Sequence, residues 1–317
     1  MKNRKFSIPY NGYGIDFVNM VSEYQPYIDN VYFSIPNVVA HCNDEKLYHG
    51  LEDFLNASNR KFKRILTVNR LGIYDEPLLF KIFDTEVNNF IEEYKIEGII
   101  TTSLNLAKKL RHDFPKIELH TSCNSFQYTV RQMDVWNNLV GIDTFNPPRE
   151  AAKTPSMLKE MHDAGYKLKV IVNQACMYGC GYMFNHSCGI TKMAEFNCQH
   201  DNPVNIFRTN AILPEWLKYI DEYVDVYKIV GRHFNNNQLK FILDAYILGK
   251  PYNFLDEIIS TNSTSLIRDF STIGIRIRPE DIPEKTRYCE AKDCDKTCFI
   301  CRDTYNKLLQ KHGYIAK

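Results

Sequence analysis

Short runs of β-branched and aromatic residues alternate along the chain with longer stretches whose apolar positions recur every three or four residues. These are the periodicities of strands and amphipathic helices. The first strand is predicted at 6–9, followed by a helix at 15–27. Strands at 30–35, 63–68 and 97–102 precede helices at 45–59, 76–93 and 104–113, the last stopped near Pro115. A fifth strand at 117–121 leads to a helix at 128–139, and a sixth at 141–145 to a helix at 156–164 with Gly165 as its C-cap signal. The seventh strand, 167–173, is separated from the eighth, 226–230, by a cysteine-rich insertion and a helix at 214–223. A helix at 237–248 completes the series.

Eight strand–helix alternations predict an α/β fold, a (β/α)8 TIM-like barrel with a cysteine-rich insertion after strand 7 and a small cysteine-rich C-terminal tail. The barrel is assigned to 1–274 and the appendage to 275–317. An open doubly wound sheet is the alternative, but no glycine-rich phosphate fingerprint follows the first strand.

The 317 residues carry 44% hydrophobic and 24% charged side chains, values of a soluble globular protein. A net charge of +1 gives no global reason to expect nucleic-acid binding, which leaves RNA as an undecided partner. Arg60, Lys61, Lys63 and Arg64 form a local basic stretch. The N-terminus lacks the apolar stretch of a signal peptide, and no window reaches the roughly 18 apolar residues of a membrane helix. The expectation is a cytoplasmic protein with no membrane partner. In that reducing setting its ten cysteines are metal ligands or catalytic groups before they are disulfides.

Eight of the ten cysteines fall in two clusters. Cys176, Cys180, Cys188 and Cys198 follow the seventh strand, where Gly179, Gly181 and Gly189 let the backbone bend around a bulky group. Soft thiolates in such a loop suit zinc or an iron–sulfur cluster; the spacing differs from a zinc ribbon, which favours the cluster and leaves zinc as an alternative. Buried free thiols are the bland alternative. His186 lies among them as a candidate cofactor-binding residue or a structural hydrogen-bonding histidine. A radical-SAM triad would need a cysteine where Met183 stands. The second cluster, Cys289, Cys294, Cys298 and Cys301, reads equally as a zinc knuckle, a second cluster, or a donor of one thiolate to the first site. Cys42 and Cys123 follow the second and fifth strands, where either can complete a cluster.

Positions just past the strand ends of such a barrel build its active site. Here they include Ser34, His120, Asn124, Arg149, Glu150, Asn173, Lys228 and Arg232. Guanidinium forks recognise carboxylate or phosphate. His120, Arg149, Lys228 and Arg232 are therefore the candidate catalytic set for an anionic substrate or co-substrate, and Asn173 a candidate cofactor contact. Salt bridges that merely hold loops are the competing reading.

These residues also carry a family resemblance over roughly residues 5–250. The stretch from His120 to Asn124, the pair Arg149-Glu150, the cysteine loop from Asn173 to Cys188 and the run from Tyr227 to Arg232 resemble, in order, the motifs of the collagenase-like peptidase family U32. Val230 replaces that family's glutamate, Asn173 stands where a histidine–glycine begins, and the cysteine spacing differs. The resemblance extends to the family's iron–sulfur branches, which support oxygen-independent hydroxylation in the ubiquinone pathway and, with prephenate, of RNA. It implies a [4Fe-4S] cluster on Cys176, Cys180, Cys188 and Cys198 with Cys42 in reserve, a prephenate-like anionic partner and a sister subunit. A metal-dependent peptidase and a non-catalytic cluster-bearing protein are the alternative functions.

Overall fold

The computed structural model describes residues 3–36, 38, 48–57, 61–70, 80–187, 203–260, 274–289, 293–294 and 296–314. Seven parallel strands run in chain order: β1 (Lys5–Pro9), β2 (Ile28–Phe33), β3 (Lys63–Val68), β4 (Gly98–Thr101), β5 (Glu118–Thr121), β6 (Lys169–Ile171) and β7 (Val226–Lys228). They pair in the order β5-β4-β3-β2-β1-β7-β6. The two edges meet through residues 143–145. Asp143 and Thr144 donate backbone N–H groups to Leu119, and Thr121 donates to Thr144. On the other side Phe145 donates to Lys167 and Lys169 to Phe145. This short stave, predicted as a full strand, makes only single bridges to each neighbour, yet it closes the ring.

Strand side chains alternate between two environments, as the pleat requires. Phe6, Val31, Phe33, Leu66, Leu119, Val170 and Tyr227 face outward into the main apolar cluster with the helices. Tyr32, Ile65 and Ile100 form a separate small cluster inside the barrel. The remaining interior is unusually polar: Ser7, Asn30, His120 and Lys169 are each at most 1% exposed. Gly98 is required where the ring is tight, since a Cβ there would lie 2.7 Å from Ile65 and 2.9 Å from the Glu118 carbonyl.

Helices cover the ring where local sequence starts and stops them. Ser103 caps the helix Leu104–Asp113 through the Leu106 N–H, and Thr129 with Gln132 forms a capping box for Val130–Val140. Asn235 and Gln238 do the same for Asn236–Leu248, which ends on left-handed Gly249.

Three predicted elements differ. The segment predicted as helix at 214–223 is a 3-10 helix over Pro214–Tyr219. The helix predicted at 76–93 contains a π-helical stretch, Phe83–Val87, before the α-helix Asn88–Tyr94. The tail carries an α-helix, Ile300–Lys311, that buries Thr304, Leu308 and Leu309. Ile275, Ile277, Leu308 and Leu309 belong to the same apolar cluster as the barrel helices. The basic stretch is engaged in structure. Lys63 pairs with Glu118, while buried Arg64 donates to the carbonyls of Leu55 and Lys95 and pairs with Glu97 at 3.2 Å; Arg60 lies outside the described residues. Among the described residues, no helix is long and apolar enough to cross a membrane.

Candidate functional site

Two regions gather the candidate residues: the mouth at the C-terminal ends of the strands, and a cysteine-lined cavity between the loop after β6 and the tail.

At the mouth, Arg149 follows the short stave and is held on both sides. Its Nε donates to Gln174 Oε1 at 3.0 Å and its Nη2 to Asn124 Oδ1 at 2.7 Å. Asn124 is fixed in turn by a 3-10 turn, with Ser122 Oγ accepting its backbone N–H and receiving Asn69 Nδ2 at 3.3 Å. Ser187 also donates to Asn124 Oδ1 at 3.5 Å, tying the helix Met183–Ser187 to the rim. The third Arg149 nitrogen, Nη1, is buried without a hydrogen-bond partner among the described residues. Asn69 Oδ1, Asn146 Oδ1, Thr67 Oγ1 and Glu150 Oε2 are in the same state. Buried polar atoms are paired in almost every native structure, so orphans at the ends of β3 and of the stave mark where water or a polar ligand belongs. Burial raises the Glu150 carboxyl above its ordinary value, with Arg149 opposing.

Lys228 ends β7 and is 7% exposed, its Nζ 4.2 Å above the Tyr32 ring. Burial lowers its pKa to about 8; the Cys123 thiol opposes this, and Arg232 and Arg149 add to it. Arg232 donates Nη1 to Ser34 Oγ at 2.8 Å. Gly231 has φ +124°, and a Cβ there would meet the Phe234 ring at 2.1 Å, so only glycine allows this turn between the two cations.

Asn173 is fully committed to backbone. Its Nδ2 donates to the Val230 carbonyl at 2.9 Å and its Oδ1 accepts the Val230 N–H at 2.8 Å, so it clamps the ends of β6 and β7 together. His120 lies inside the ring below the rim. Its Nδ1 is 2.7 Å from Lys169 Nζ and its Nε2 is 3.3 Å from Glu118. Burial, then Lys169, lowers the His120 pKa to about 4. Burial likewise pushes the Lys169 amine well below its ordinary value. A neutral imidazole carrying its proton on Nε2 satisfies both contacts: it donates to Glu118 and accepts from Lys169. The His120 bond, opposed by burial and supported by Lys63, holds Glu118 down at about 2.

Beyond β6, the Cys176 carbonyl accepts the Asn210 N–H at 2.7 Å, Met177 bridges Thr209, and Tyr178 donates its N–H to Arg208 at 2.8 Å. Gly179 turns the loop at φ +66°. Burial raises the Cys176 thiol to about 11, with Arg149 opposing. The loop thereby brings Cys176 and Cys180 beside the Arg149 rim. Cys42, Cys188 and Cys198 lie outside the described residues, as does the His186 side chain.

On the far face of this loop, Met177 and Tyr178 share a cavity of about 160 Å³ with all four tail cysteines, Cys289, Cys294, Cys298 and Cys301. Arg208 and Lys285 also line it. Cys289 is anchored through its N–H to the Lys153 carbonyl and Cys301 Sγ lies 3.5 Å from the Phe207 carbonyl. Burial raises the Cys301 thiol to about 11, with Lys153 opposing. Among the described residues, no group of three His, Cys, Asp or Glu side chains is placed to hold a metal ion.

Sequence reasoning passed over Lys169, Gln174, Arg208 and Lys285. Lys169 alone left a signal, a charged residue inside the apolar run Leu168–Val172.

No family model matches the chain. An uncharacterized protease of Methanocaldococcus jannaschii, MJ1657, is 30% identical over 95 residues, covering 26% of this chain and 29% of that protein. The match thus spans under a third of the relative's length. Among solved structures, the U32 peptidase Mk0906 superposes with a TM-score of 0.53 at 10% identity, over 72% of this chain and 93% of its own. Monomers of phosphoribosylanthranilate isomerase from Thermotoga maritima superpose with a TM-score of 0.42 at 13% identity, over 77% and 98% of the two chains. The chain has the TIM-barrel-like α/β fold.

Proposed function

We propose that this chain is a U32-peptidase-like enzyme that carries a cysteine-ligated iron–sulfur cluster beside a cationic barrel mouth and performs oxygen-independent hydroxylation, or a related redox modification, of an anionic substrate. One observation carries the reading: four tail thiols line a single cavity whose opposite wall is the Cys176 loop. The partial identity to MJ1657 and the fold likeness to Mk0906 support the family assignment.

The donor set fits a metal–sulfur group. Thiolates are soft ligands. The four thiols line one cavity of about 160 Å³ together with Met177, Tyr178, Arg208 and Lys285. Cys289, Cys294, Cys298 and Cys301 would hold such a group, with Arg208 and Lys285 offsetting negative charge. Cys176 and Cys180, with Cys188, Cys198 and Cys42, are the ligands proposed for a [4Fe-4S] cluster in the loop, and zinc remains the competing occupant of the tail. Such a cluster, when bound, supplies one-electron redox chemistry.

The chain's own residues supply recognition. Arg149, Lys228 and Arg232 converge on a rim where the orphaned Arg149 Nη1 donor suits an anionic ligand, such as a prephenate-like carboxylate. Asn124 and Gln174 hold the Arg149 guanidinium in one plane so that Nη1 faces the ligand. Tyr32 floors the site under Lys228.

The peptidase alternative draws on the partial similarity to MJ1657, an uncharacterized protease. Among the described residues, no hydrogen bond joins a histidine to a serine, threonine or cysteine, as a nucleophile–base pair requires. The deciding experiment is iron, sulfide and zinc content per chain after anaerobic purification, with gelatin cleavage assayed on the same sample. Iron and sulfide in equal amounts, with no cleavage, support the proposal. Zinc without sulfide, or cleavage that survives chelators, overturns it.

A further inference from the structure

Lys228 differs from Arg149 and Arg232, its cationic neighbours at the mouth. Arg149 and Arg232 are held by hydrogen bonds to Gln174, Asn124 and Ser34. The Lys228 amine makes no hydrogen bond to any described residue, and among the described residues no carboxylate contributes to its electrostatics. The groups facing it are the Tyr32 ring from β2, the Cys123 thiol after β5, Arg149 after the stave and Arg232 after β7. On the strands beside it stand Ser7 and Ile171, and Lys169 below is close enough to feel its charge. A lysine used only to bind anions gains from keeping its full charge. This one sits in a dry wall among cations, the arrangement that frees an amine lone pair for attack on a carbonyl.

We infer that Lys228 is a nucleophile that condenses with the carbonyl carbon of a small anionic carbonyl compound, the 2-oxo acid class, whose carboxylate is held by Arg149 and Arg232. Neutral Nζ adds its lone pair to the carbonyl carbon, forming a C–N bond. The resulting carbinolamine loses the former carbonyl oxygen as water, which carries off both amine protons, and a C=N bond remains. No oxidant or reductant is consumed. The orphaned Nη1 of Arg149 supplies the donor for the second carboxylate oxygen. The low amine pKa supports the same role: at pH 8 about half of the Lys228 amine is neutral, against under about 1% of an ordinary lysine. This inference shares the anionic mouth with the proposed function but needs no cluster.

The test is reductive trapping on the full-length, anaerobically purified protein, using pyruvate as probe with sodium cyanoborohydride at pH 8, followed by peptide mapping. The expected result is a single reduced adduct on Lys228, formed about tenfold faster than on the average surface lysine and saturating with pyruvate. Acetone, which lacks the carboxylate, should lose that preference when normalised to surface lysines. Label spread evenly over the surface, or Lys228 left bare while other lysines react, overturns the inference. Equal preference for acetone and pyruvate overturns the anionic class. Mapping wild-type protein keeps the test independent of whether Lys228→Arg folds. Iron and sulfide assayed on the same sample separate its failure from that of the cluster.

Discussion

The barrel mouth and the tail cavity lie back to back across the Cys176 loop, and they are built in opposite ways. Every cation at the mouth is set by a strand end and a neighbour: Arg149 by Asn124 and Gln174, Arg232 by Ser34, Lys228 by its place on β7 and the Tyr32 ring. The cavity is walled by a 3-10 turn, the start of the tail helix and four thiols whose own contacts are few. The mouth is preorganised by the ring, whereas under the proposed function the cavity would gain part of its order from what the thiols bind, as metal-dependent segments draw folding energy from the ion or cluster itself.

The largest expected effect separates the two regions. Cys298→Ser should abolish the metal held by the tail and loosen the helix Ile300–Lys311, read as lost metal in elemental analysis and faster proteolysis of the tail. Anion binding at the mouth should stay within twofold. A matching collapse of anion binding would show that the mouth is not preorganised.

Next in size is a pH effect beneath the mouth. His120 has a folded pKa lowered to about 4 from 6.5, so the unfolded chain takes up the proton first as pH falls. Stability should therefore be lost between pH 6.5 and 4, by about 3 kcal/mol at 1.36 kcal/mol per unit. Glu118, held near 2, adds a further loss as pH falls below its unfolded value of 4.5. Urea unfolding across this range checks both, and His120→Gln should remove the upper part. A flat profile from pH 6.5 to 4.5 in the wild type contradicts the buried neutral histidine.

Asn173→Ala removes both bonds to the Val230 backbone from a fully buried site. A cost of about 2 kcal/mol in unfolding free energy is expected, with metal content unchanged. The smallest effect is Arg149→Gln, which keeps a polar group but removes the charge and the Nη1 donor. Pyruvate binding followed by calorimetry should weaken roughly tenfold, about 1.4 kcal/mol. An unchanged affinity would move the anion site elsewhere.

How far sequence legibility reached follows the same division. The strand at Lys63–Val68 and the helix Leu104–Asp113 were predicted to the residue, because strand runs and helix caps are local signals. The sixth strand kept its place but shrank to a bridge on each side, since ring closure sets how many residues can pair there. The helix Ile300–Lys311 was missed: it starts inside the Cys298-x-x-Cys301 and its buried face, Thr304, Leu308 and Leu309, is short. Arg149, Lys228 and Arg232 were legible from position past strand ends, but the burial of Lys169 and the neutral His120 beside it follow from barrel closure. The four tail thiols were legible as a group, while their meeting with Met177 and Tyr178 depends on how the tail packs against the insertion.

Native mass spectrometry of the anaerobically purified chain tests the central claim most directly. The account predicts a mass excess equal to an iron–sulfur unit that Cys298→Ser or Cys176→Ser reduces. A chain at its bare mass, or one carrying only zinc in the wild type, would contradict it.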